Sequence, residues 1–317
     1  MDATTVSFAP SGQQFEIACG EQRAIIVEVG GCIRSYTHGQ RDVLEPFPAG
    51  AICDAAHGAP LIPWPNRVAG GSYSFEGSQH QLALSEPERG GAIHGLLRWR
   101  PWSASEHTAE RVVMRARLHP SPGYPFALEL SIAYELGEDG LSVATSARNI
   151  GPTRCPYGAG QHPYLSPGAP GALQRCELSL PARTRLLLDE DSQTPVGREP
   201  VAGTRFDYRV ARAIGADRLD DAFTDLQRGA NGRALATLSC PDGRIVELWA
   251  DERYGFLQVF TGDPLTGARH RSALAVEPMT CAPNAFQSGD GLLVLEPGES
   301  LTSTWGVRLA PGPQSSA

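Results

Sequence analysis

The segment Phe126-Ala-Leu-Glu-Leu-Ser-Ile-Ala-Tyr134, then Gly137-Glu-Asp-Gly140, then Leu141-Ser-Val-Ala-Thr-Ser-Ala147, decides the fold class. Phe126, Leu128, Leu130, Ile132 and Tyr134 alternate with Ala127, Glu129, Ser131 and Ala133. A period of two puts the apolar set on one face of a pleated strand and the smaller or polar set on the other. The Gly-Glu-Asp-Gly run supplies a turn, and Leu141, Val143, Thr145 and Ala147 resume the alternation. Val112, Met114, Ala116 and Leu118 repeat it upstream. The three segments are expected to form an antiparallel meander.

The same pattern extends along the chain. Residues 24–29 form an apolar run, Tyr73 and Phe75 open a hairpin, and Pro241-Asp-Gly243 joins two strand-like segments. Residues 256–260 and 273–276 read as short buried strands. Helical periodicity is scarce; only residues 217–226 are expected to make a turn or two of helix. With 35 Gly and 26 Pro as punctuation, the expectation is an all-β fold, a large many-stranded antiparallel β-sandwich. It is read as one domain over residues 1–317, with a core of about 8–309 and a mobile tail, 310–317.

Composition limits the function classes. Lys plus Arg total 27 and Asp plus Glu 35, a net charge of −8, with no basic run. That balance excludes a nucleic-acid partner, which requires clustered positive charge. The seven cysteines are far apart and contain no CxxC pair, so reduced thiols in a cytoplasmic protein are expected. No signal-peptide pattern and no membrane-spanning apolar run is present. Neither a glycine-rich dinucleotide motif after a strand nor an HxH or HExxH pair occurs, so no metal or organic cofactor is expected. A monomer or homodimer is expected.

Four stretches interrupt the alternation and concentrate polar residues where strands end. They are Pro60-Leu-Ile-Pro-Trp-Pro-Asn-Arg67, Gly91-Ala-Ile-His-Gly-Leu-Leu-Arg98, Gly160-Gln-His-Pro-Tyr-Leu165 and Val276-Glu-Pro-Met-Thr-Cys-Ala-Pro-Asn284. Loops held by a rigid β scaffold are where binding and catalysis concentrate. His38, His57, His80, His107, His119 and His270 lie outside these stretches and are read as surface residues. Arg98 and Arg100 are read as alternate positions of a strand, sharing one face, with Trp99 on the other.

The ordered set Asn66-Arg67-Val68, His94-Gly95, His162-Pro163-Tyr164, Leu219-Asp-Asp-Ala-Phe223, Glu277 and Leu295-Glu-Pro-Gly-Glu299 resembles the aldose 1-epimerase (galactose mutarotase-like) family. The resemblance runs from about residue 20 to residue 307. It implies ring opening of an aldose hemiacetal, with Glu277 as base and His162 as acid. His94 would stand near the ring oxygen, sharing the acid role or stabilising charge, while Arg67 and Asp220 hold sugar hydroxyls. A hexose such as glucose or galactose is the implied small-molecule partner. The segments also depart from the galactose-processing members. Pro278-Met279 follows Glu277 where Thr-Gln is usual, and Leu165 replaces an aromatic residue, as in a separate bacterial branch. Three rivals remain: a non-catalytic carbohydrate-binding protein, a hexose-6-phosphate epimerase using Arg98 and Arg100, and a metal-dependent hydrolase using the histidines. An uncharged aldose is expected to be preferred over its 6-phosphate, because the net charge disfavours a dianion.

Overall fold

A computed structural model describes residues 9–310; residues 311–317, most of the expected tail, lie outside the described part. Two large antiparallel sheets account for most of the strands. The nine-stranded sheet runs in the order Ser103–His107, Arg111–Leu118, Leu128–Gly137, Gly140–Asn149, Ser300–Ala310, Ile245–Ala250, Ala234–Ser239, Glu177–Ser179 and Arg212–Ala213. Its first four strands contain the expected meander, in a register that sets Ile132 opposite Thr145 and Met114 opposite Ile132. Leu128, Leu130, Ile132 and Tyr134 are all buried. Burial of a large apolar side chain contributes about 1.5–3 kcal/mol, so one alternating strand weighs heavily in the choice of face.

The second sheet has twelve strands. Its main path is Gln14–Cys19, Gln22–Val27, Ile33–His38, Arg41–Leu44, Tyr164–Leu165, Leu274–Met279, Phe256–Phe260, Asp220–Leu226, Ala182–Leu188 and Pro195–Pro200. The short strands Gly160–Gln161 and Pro60–Leu61 attach beside Leu274–Met279. The hairpin expected at Tyr73 forms between Ser72–Phe75 and Ser78–Gln81. Residues 217–226 correct the expected helix: Asp220–Leu226 is a strand, paired on both sides. Its apolar residues are gained by sheet neighbours, an instance of tertiary context overriding local periodicity.

The core lies between the sheets. Leu257, Val259 and Val276 of the twelve-stranded sheet share one apolar cluster with Leu130, Ile132, Trp305 and Val307 of the nine-stranded sheet. Polar bonds pin the layers: the Tyr134 hydroxyl donates to the Gly31 carbonyl at 2.6 Å, and Gln22 Nε2 donates to the Gly137 carbonyl at 2.7 Å. All seven cysteines are free. No helix among the described residues is long and apolar enough to cross a membrane.

Candidate active site

Strand parity aims the site. Val276 and Val259, directly opposite each other, point into the inter-sheet core. Glu277 and Gln258, the next opposed pair, must therefore point to the other face. Asp220 lies opposite Phe260, two residues along from Gln258, and shares that outer face. Asp221 points the other way and pairs with Arg185 at 2.7 Å. This is the physical reason that Asp220, rather than its neighbour, reaches the cleft.

On the other flank of Leu274–Met279, Tyr164 faces Ala275 and Gly160 faces Met279. The same register, carried across the gap, sets His162 against Glu277. Their side chains meet, with His162 Nε2 3.2 Å from Glu277 Oε1. Val276 N–H donates to the Pro163 carbonyl and Thr280 N–H to the Ala159 carbonyl. Residue 278 thus falls where the ladder is interrupted, and Pro278 leaves no donor stranded there. His162 stacks on Tyr164 with ring centroids 4.8 Å apart, and Tyr164 stacks on His57 at 4.5 Å. His57 is therefore buried, not a surface residue as its sequence context suggested. Arg269 Nη2 lies 3.1 Å from its Nδ1 and the Glu45 carbonyl 2.6 Å from its Nε2.

A two-stranded ribbon, Arg67–Ala69 against Gly91–Ile93, delivers the other expected residues. Asn66 and His94 flank it with left-handed backbones, φ 54° and 62°. Such conformations cost about 1–3 kcal/mol in residues other than glycine and cluster at functional sites. The two residues grip each other: Asn66 N–H donates to His94 Nδ1 at 3.2 Å, and His94 N–H donates to the Asn66 carbonyl at 2.9 Å. Because Nδ1 accepts, the neutral ring carries its proton on Nε2. The His94 and His162 rings meet edge-on at 5.4 Å.

These elements enclose an open cleft of about 370 Å³, lined by Arg67, His94, His162, Asp220 and Glu277 together with Glu86, Arg98, Trp99 and Phe260. That volume is within the range of small-molecule pockets. All five residues singled out from the sequence converge here. A groove of about 590 Å³ on the nine-stranded sheet is larger, but its charged groups are engaged. Glu247 pairs with Arg308, and Arg233 stacks on Trp249.

Burial dominates the electrostatics of the cleft. Glu277, 2% exposed, is pushed well above the usual carboxylate range by burial and by Asp220, with Arg67 opposing. His162 is lowered to about 3 by burial, with the positive potential of its surroundings adding to the effect. His94 is lowered by burial and then by His162, Arg98 and Arg67. His162 Nδ1 and Glu277 Oε2 have no hydrogen-bond partner among the described residues. Ligand-type atoms of His94, His162 and Glu277 lie within 4.8 Å of one another. Two imidazoles and a carboxylate at that spacing are also a donor set for a divalent cation.

Sequence reading missed two supporting residues. Glu86 grips Arg67 in a two-pronged ion pair, 2.6 Å to Nε and 2.9 Å to Nη2. Gln258 Nε2 donates to Asp220 Oδ1 at 2.8 Å. Only the fold brings these partners together; nothing in local spacing marks them. Arg98 also differs from expectation. It sits on a turn, not a strand, and lines the cleft alone, while Arg100 is exposed outside it.

Comparison with known proteins bears on the fold and the family. The sequence profile of the aldose 1-epimerase family matches residues 13–308. The Escherichia coli protein called uncharacterized protein YihR is 38% identical over 291 residues, covering 91% of each chain. The E. coli aldose 1-epimerase is 27% identical over 217 residues, 65% of this chain and 61% of that enzyme. The crystal structure of the GalM/aldose epimerase homologue from C. elegans superposes with a TM-score of 0.83 at 17% identity, covering 94% of this chain and 99% of that one. With the family match spanning nearly the whole described fold, the chain belongs to the aldose 1-epimerase family.

Proposed function

We propose that this protein interconverts the α and β anomers of an aldose by acid–base ring opening, with residues 9–310 acting as one catalytic unit. Glu277 takes the proton of the anomeric hydroxyl as His162 gives a proton to the ring oxygen. The C1–O5 bond breaks, C1 becomes an aldehyde carbon, and rotation about C1–C2 exposes its other face. Closure reverses both transfers, so the protein regains its starting protonation each turnover. His94, fixed as an Nε2–H donor, steadies charge on the ring oxygen, and Arg67 and Asp220 bind hydroxyl groups. Each positioned proton-transfer group is expected to contribute about 10²–10⁴-fold.

The buried His162–Glu277 contact carries this reading. A protein that merely bound sugar would gain nothing from burying an acid and a base against each other with two polar atoms unpaired. Seven free thiols fit a reducing, cytoplasmic setting. The test is polarimetry on freshly dissolved α-glucose and α-galactose, with and without prior chelation. Acceleration that survives chelation is expected. No acceleration of any aldose would refute the reading, and activity restored only by one added cation would make the histidines and Glu277 a metal centre.

A further inference from the structure

Two arginines are buried in the cleft, and their situations differ. Arg67 is neutralised by Glu86. Arg98, 9% exposed, has no ion-pair or hydrogen-bond partner for its guanidinium among the described residues. The carboxylate whose charge reaches it, Glu86, is engaged by Arg67. A largely desolvated cation without an ion-pair partner of its own is costly unless a ligand supplies one.

The side chain is also held in place. Its guanidinium lies 4.0 Å over the Trp99 ring, and Trp99 Nε1 donates to the Cys53 carbonyl at 3.1 Å. The turn is clamped by Gly30 N–H donating to the Arg100 carbonyl and Leu96 N–H to the Ile62 carbonyl, both at 2.8 Å. Gly30 permits this packing: a Cβ there would stand 2.3 Å from the Arg98 carbonyl. With one face against the indole, the guanidinium keeps its in-plane N–H edge for a planar two-pronged contact, the arrangement that suits an oxyanion.

Its location fixes which part of a sugar it meets. Arg98 follows His94 on the segment anchored by the Ile62–Gly95 bridge and the Leu96–Ile62 bond and lines the cleft there, whereas Asp220, Gln258 and Glu277 stand on strands of the twelve-stranded sheet. Arg98 therefore stands on the histidine side. In the reaction proposed above, on which this inference rests, the histidines attend the ring oxygen. The ring oxygen joins C1 to C5, and in a hexopyranose C5 bears the exocyclic carbon. We propose that Arg98 is an anion-binding subsite and that the preferred substrate is an aldose carrying a tetrahedral oxyanion on that exocyclic carbon. The sequence-level preference for uncharged aldoses rested on the net charge of −8; a local unpaired cation inside the cleft acts at much shorter range and outweighs it.

The test compares kcat/KM for glucose, glucose 6-phosphate and glucose 6-sulfate, each corrected for its own enzyme-free rate, in wild type, Arg98→Gln and Arg100→Gln. Wild type is expected to prefer at least one charged sugar tenfold or more, and the phosphate and sulfate arms separate a dianion from a monoanion. Arg98→Gln is expected to bring the charged-to-neutral ratio within about twofold of unity, while Arg100→Gln keeps it. The wild-type ratio is decisive even if the Arg98 variant fails to fold. Equal turnover of charged and neutral sugars, or a preference that survives Arg98→Gln, overturns the subsite and leaves the epimerase reading intact. No turnover of any of the three sugars overturns the epimerase reading itself.

Discussion

Burial shifts Glu277 up and His162 down across a 3.2 Å contact. With the carboxyl raised and the imidazole lowered, the pair holds a single proton over a broad pH range, resting on Glu277, and the proposed reaction requires it to pass to His162 across that contact. Adding a second proton requires charging His162, which is lowered to about 3. Removing the only proton requires ionising Glu277, which is raised well above its usual range. The proposed reaction needs the one-proton form, so activity should be lost at the acid end only as His162 charges, near about pH 3, and at the alkaline end only above the ordinary carboxylate range. A kcat/KM at pH 5 within about twofold of that at pH 7 is expected; a limb centred near 6.5 would mean a histidine titrating in its ordinary range. His162→Asn should cost at least about 10²-fold and His94→Asn less, since in the proposed reaction His94 donates a hydrogen bond and transfers no net proton. The reverse ranking in polarimetric rates would exchange their roles. The residue types and order of this pair were readable in the sequence. The tautomer of His94 was not, because it is set by a backbone N–H at Asn66, 28 residues away.

At the scale of elements, alternation made the meander legible, since each of its strands has one face in the core. The helix expected over residues 217–226 failed because Asp220–Leu226 is flanked on both sides by strands distant in sequence. Arg98 failed for a related reason: Arg-Trp-Arg alternates like a strand, but its backbone bonds go to Gly30 rather than to a ladder. Gly95 shows how an element sets the chemistry. Its φ is 70°, and a Cβ there would stand 2.0 Å from the Ile62 carbonyl, across the Ile62–Gly95 bridge. Gly95→Ala must open that bridge and carry His94 with it. A stability loss of at least about 2 kcal/mol in denaturant unfolding is expected, with reduced turnover in the folded fraction. Unchanged stability and activity would show that the bridge does not position His94.

Across the whole molecule, strand parity separates the core from the cleft. One face of the twelve-stranded sheet packs on the nine-stranded sheet through Val259 and Val276, and the other presents Asp220, Gln258 and Glu277 to the cleft. The sandwich was legible because its strands announce a period of two. The cleft was legible only as a set of candidates, since its members come from segments that the fold alone brings together. Deep packing beneath Leu274–Met279 means that isosteric changes on its cleft face should leave folding intact. Glu277→Gln is such a change, preserving shape while removing the proposed base. The most direct measurement is the polarimetric anomerisation rate of this folded variant beside sugar binding by calorimetry, using the aldose that wild type turns over best. Binding within a few-fold of wild type, with turnover lowered at least about 10²-fold, is the predicted result; turnover near that of wild type would remove Glu277 from the reaction and contradict the account.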